Sequence, residues 1–148
     1  MRVGLLGLAL LLAACGTTVA PRQPQVLTVP GMIGTDMQME IVDETGELVD
    51  ARAVSGEALG AVKMPLEGMI AAWAGSTSNE ARIVWLSFSC TTSGRLTISN
   101  PNKVTITPAP TTGCDAIGNH RAVDLVFRVP VNPAALQVEL VGFPQEKG

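Results

Sequence analysis

The chain has 148 residues, with 10 Lys and Arg against 13 Asp and Glu, a formal charge of −3 and 47% hydrophobic residues. This mildly acidic balance excludes the clustered basic surface that nucleic acid requires. Aromatic residues are few, namely Trp73, Trp85, Phe88, Phe127 and Phe143 with no tyrosine, which argues against stacking platforms for sugars or bases.

Arg2 precedes an unbroken run from Val3 to Ala14 made only of Val, Gly, Leu and Ala. A bilayer span needs roughly 20 apolar residues, so this shorter run reads as the core of a signal peptide. It ends at Leu12, Ala13, Ala14 and Cys15. These four residues resemble the lipobox of bacterial lipoproteins. The resemblance implies cleavage of residues 1–14, lipid on Cys15 and attachment to the cell envelope. Gly16 is not the aspartate associated in that family with inner-membrane retention, so an outer membrane or cell-surface location is favoured. Several acyl chains on one cysteine give a stable anchor where a single chain gives a marginal one.

Residues 15–25 are small, polar and proline-bearing, which predicts a flexible tether. Residues 26–148 are then a single domain, because the 134 residues left after position 14 suit one hydrophobic core. Loss of Arg2 leaves 9 basic residues against 13 acidic ones, a mature charge near −4.

Along this domain short apolar alternations are separated by Gly, Pro, Thr and Ser about every ten residues, the spacing of a sandwich or barrel. MQMEIVDETGELVDARAV predicts a hairpin with Met37, Met39 and Ile41 facing inward and turn chemistry at Asp43 to Gly46. Residues 58–64 and 68–74 are weaker strand candidates, the second with a helical turn as its alternative. In ARIVWLSFSC, Val84, Leu86, Phe88 and Cys90 share one face while Ile83, Trp85, Ser87 and Ser89 share the other. Leu96 and Ile98, then Val104 and Ile106, flank the turn NPN and continue as an antiparallel meander.

RAVDLVFRVPV places Val123, Leu125, Phe127, Val129 and Val131 on one face, with Asp124 and Arg128 opposite. Leu136, Val138 and Leu140 mark a closing strand. The expected fold is an all-β antiparallel sandwich of about 8 to 10 strands, resembling an immunoglobulin or fibronectin-like domain.

With Cys15 assigned to lipid, Cys90 and Cys114 remain as an even pair, which an oxidising envelope would join as a disulfide. Closing that 25-residue loop stabilises a fold by roughly 3.5 kcal/mol in the chain-entropy model. Small extracytoplasmic bacterial sandwiches with one cysteine ending a strand and another in a following loop are similar to this region. The resemblance implies no activity.

His120 is the only histidine, so a hydrolase would have to pair it with one of Ser76, Ser78, Ser87 or Ser93, and no GxSxG elbow is present. Met32, Met37, Met39, Met64 and Met69 offer soft sulfur of the kind that selects copper(I), although the phase of Met37 and Met39 is that of core filling. Asp43, Glu44, Glu47 and Asp50 lie too close together for a calcium loop and read as a solvated tip. The expectation is therefore a non-catalytic, lipid-anchored envelope domain with a binding or structural role, an envelope protein as partner, and neither metal nor cofactor. A methionine-based copper carrier and a small hydrolase centred on His120 are the alternatives.

Overall fold

The computed structural model describes residues 23–33, 35–65, 68–110 and 117–142. Among them the alternations become nine strands: β1 (Gln25–Val29), β2 (Met37–Asp43), β3 (Leu48–Ala53), β4 (Ile70–Ala74), β5 (Glu80–Phe88), β6 (Ser93–Ser99), β7 (Lys103–Pro108), β8 (Ile117–Phe127) and β9 (Gln137–Leu140). A single helical turn, α1 (Gly56–Gly60), precedes β4, and a 3₁₀ turn, Pro133–Ala135, precedes β9. The strands form two sheets, ordered β1-β2-β6-β7-β9 and β3-β8-β5-β4. The chain is an all-β sandwich.

The core fills the space between the sheets. One side supplies Met37, Met39 and Ile41 from β2, Leu96 and Ile98 from β6, and Val104 and Ile106 from β7. The other supplies Ile83 and Trp85 from β5 and Val123, Leu125 and Phe127 from β8. The inward phase expected of Met37, Met39 and Ile41 is the observed one. β5 is apolar on both faces because both are covered: Val84, pointing away from Trp85, joins an outer cluster with Ala122, Val54, Leu59 and Val62. A strand buried on both faces loses the simple polar alternation of a half-exposed one.

That outer cluster explains why residues 58–64 are not a strand. Leu59 and Val62 are three positions apart, a helical spacing that puts both against the same sheet face, and Gly56 opens the turn at φ +59°. In the segment 68–74 the strand interpretation holds from Ile70 onward. Val129, placed by pattern on the buried face, is 51% exposed, because β8 ends at Phe127 and the main chain turns away through Arg128 and Pro130.

Two expected connections are corrected. β2 and β3 do not form a hairpin, since each belongs to a different sheet. β5 and β6 likewise lie in different sheets, so only β6 and β7 retain the antiparallel pairing of the proposed meander. The five-stranded sheet is mixed, with β2 parallel to β6 and β7 parallel to β9. It thereby departs from the purely antiparallel immunoglobulin arrangement. Parallel neighbours need a long crossover, and here the crossovers carry the chain through the other sheet.

The DETGE turn makes the sheet change. The Asp43 carboxylate accepts hydrogen bonds from Thr45 N at 2.9 Å, Thr45 Oγ1 at 2.6 Å and Leu48 N at 2.9 Å, while Gly46 takes φ +74°, a conformation glycine adopts without penalty. Asp43 is therefore a half-buried structural anchor and not part of a solvated tip; Glu44 and Glu47 do lie exposed.

Burial pushes the Asp43 carboxyl up, but the donated hydrogen bonds from Thr45, Leu48 and Gly46 outweigh it and hold the group below its ordinary value of 3.8. A lowered folded pKa gives stability that is present above 3.8 and is lost as pH falls below it. Asp43→Ala should cost about 1–3 kcal/mol at neutral pH, since it strands main-chain donors. It should also flatten the acid limb of stability, as read by urea unfolding between neutral pH and the region below 3.8.

Candidate functional site

At the end of the sandwich where β1 turns into β2, an arginine occupies the core. Arg121 in β8 is in phase with Val123, Leu125 and Phe127 and is 0% exposed. Its Nε donates to Ser87 Oγ at 2.9 Å and its Nη1 to the Val29 carbonyl at 2.7 Å. Nη2 donates to the carbonyls of Thr35 at 2.7 Å and Thr91 at 3.3 Å. Burial lowers its pKa from the usual arginine value and the charge of Asp36 opposes that shift; the guanidinium stays charged. A planar fork reaching several acceptors at once is a task for arginine and not for lysine.

The acceptors Val29 and Thr35 bracket the connection between β1 and β2. Within it, Ile33 N donates to Asn119 Oδ1 at 2.9 Å, and Thr35 N and Oγ1 both reach the Ser89 carbonyl at 3.2 Å. At Gly31 a Cβ would fall 2.1 Å from Asn119 Nδ2, so only glycine lets the loop pass over that side chain. The main chain is tied down at Val29, Ile33 and Thr35, yet the side chains of Met32 and Ile33 are 47% and 62% exposed. Large apolar side chains presented on a fixed backbone are a preorganised contact surface, because little ordering entropy remains to be lost on association.

The opposite end carries a cleft of about 220 Å³. Phe127, Val131 and Leu136 line it with apolar surface and Val129 stands at its side, while Glu47, Asn100 and Asn102 contribute polar groups. Asn132 accepts from Ala134 N at 3.1 Å and so fixes the 3₁₀ turn beside it. The chain enters the sandwich at this same end, since Gln25 pairs with Ile41 next to the Asp43 turn.

The residues singled out from sequence are not brought together. His120 lies on the outer face of β8, where its Nε2 meets the Leu59 carbonyl at 3.2 Å. Ser87 is on the inner face and donates to the Asn119 carbonyl at 3.2 Å while accepting from Arg121. Met37 and Met39 are in the main core, Met64 packs on the outer cluster and Met32 is exposed. Among the described residues no group of three or more His, Cys, Asp or Glu is placed to hold a metal, and no helix is long and apolar enough to cross a membrane.

Cys90 follows β5 by two residues. Cys15 and Cys114 lie outside the described residues. Sequence reasoning passed over Arg121 and Asn119, although a charged residue two positions before Val123, on the face read as apolar, was a usable signal.

No protein-family model, curated protein or solved structure matches the chain.

Replacing Arg121 by methionine should cost about 3 kcal/mol or more, because it leaves three main-chain carbonyls and Ser87 without their donor. Arg121→Lys should recover only part of that loss. Urea unfolding checks the magnitude, and amide exchange checks the location: protection should fall first at Ile33 and Thr35, the clamped donors.

Proposed function

We propose that this protein is a non-catalytic binding domain of the bacterial cell envelope, anchored through lipid on Cys15, with the Met32–Ile33 loop tip as its contact surface. One observation carries the reading: two large apolar side chains are held in solvent by a loop whose backbone is clamped from the core. The chain enters β1 at Gln25 at the cleft end, so an anchor on Cys15 would join the molecule at the end away from the tip.

A disulfide between Cys90 and Cys114 belongs to the same proposal. Phe88 pairs with Ile117 in the β5–β8 ladder; Cys90 is two residues beyond the first and Cys114 three before the second. Such a link would tie together the strand ends that carry Thr91 and Asn119, both part of the clamp. Alkylation of the non-reduced protein should find neither cysteine reactive, and two free thiols would remove this part.

Cys15→Ser should release the protein from the membrane fraction or leave it unprocessed. A photo-crosslinking residue at position 33 in native cells should give a discrete adduct that the same residue at exposed position 107, on the outer sheet face, does not. Equal labelling from both positions would sink the contact-surface reading.

A further inference from the structure

We propose that the tip's partner is a second copy of this chain, whose cleft beside Val129 receives Met32 and Ile33, so that copies join head to tail. The proposal rests on reading the tip as a contact surface and names its occupant. The apolar complement is present at the other end of the same molecule: Val129 is 51% exposed and borders a cleft of about 220 Å³ floored by Phe127, Val131 and Leu136. That opening suits an aliphatic side chain better than a rigid ring system.

One charge pair fits this contact and opposes the symmetric one, while the exposed Glu47 carboxylate in the cleft lining has to stay clear of Asp36. Asp36 is exposed at the tip end and Arg128 is exposed at the cleft end. Among the described residues neither forms a direct ion pair, and the Arg128 guanidinium meets only the Gly46 carbonyl, at 3.5 Å. Head-to-tail contact sets Asp36 toward Arg128, whereas tip-to-tip contact would set two Asp36 carboxylates together. The rim amides of Asn100 and Asn102 offer both donors and acceptors to the loop's main chain. Because tip and cleft are different surfaces, each joined copy still offers one of each, and the assembly grows until it closes or is capped.

The test is sedimentation of the purified full-length chain in detergent over a range of concentrations. All variants share one N-terminal segment, so differences among them report on the two ends of the sandwich. Ile33→Asp and Val129→Asp replace exposed side chains, and unchanged thermal unfolding will show that both variants fold. Each alone should associate at least about tenfold more weakly than the parent, the scale of one interface anchor. Their equimolar mixture has one intact tip and one intact cleft, and should give a dimer and nothing larger. Arg128→Asp should weaken association.

Val129→Asp associating like the parent overturns the proposal, because the cleft is then not the receptor. A parent that stays monomeric, while position 33 still crosslinks to a different protein in cells, also overturns it but leaves the contact surface standing. A monomeric parent with no position-specific adduct removes both.

Discussion

A single guanidinium organises one end of this sandwich. Arg121 is a charge in a core built mainly of apolar side chains, and burying it would be prohibitive without partners. It is met by three carbonyls and a hydroxyl drawn from β1, the β1–β2 loop, β5 and the segment after β5. The dependence runs both ways. The Thr35 and Thr91 carbonyls lie outside the strands, so the arginine satisfies acceptors that the sheets leave open. The loop, the strand ends and the buried charge are stable together or not at all.

The rest of the architecture places that charge. β8 lies between β3 and β5, so its inward side chains reach the full width of the core. At the open side Gln25 Nε2 donates to the Ala51 carbonyl at 3.2 Å, joining β1 to β3 across the two sheets. The Asp43 turn performs the same service at the far end, where three hydrogen bonds to one carboxylate replace the ladder that a hairpin would have supplied. Both ends of the molecule are thus fixed by side chains acting on main-chain groups, and the two differ in what they expose: an apolar projection at one, an apolar recess at the other.

Much of the fold was legible because the signal is a period of two. Val123, Leu125 and Phe127, Leu96 and Ile98, Val104 and Ile106, and Met37, Met39 and Ile41 each declared a core face by alternation. What alternation does not encode is which strand lies next to which, so β2 and β3 looked like a hairpin although Asp43 turns the chain between sheets. Leu59 and Val62 were ambiguous because four residues are too few to separate a helical from an extended period. The candidate site was nearly invisible for a related reason. A residue is assigned to a core by being apolar, and Arg121 and Asn119 are polar residues doing a core residue's job. Their partners, being main-chain carbonyls and amides of distant segments, have no sequence signature at all.

The two proposed features, anchor and head-to-tail contact, constrain one another. The nine residues 16–24 between Cys15 and β1 span at most about 30–32 Å when fully extended. The longest strand, β8 with 11 residues, runs about 36 Å, so the tether and the sandwich are of similar length. A second copy stacked above the first, tip into cleft, would need its whole tether merely to return to the membrane, and a third could not reach. Copies anchored in one leaflet would therefore join end to end along the surface, with their long axes near the membrane plane. In that orientation the ends face neighbouring copies. The same physics that makes the loop tip a good contact also confines where that contact can be made.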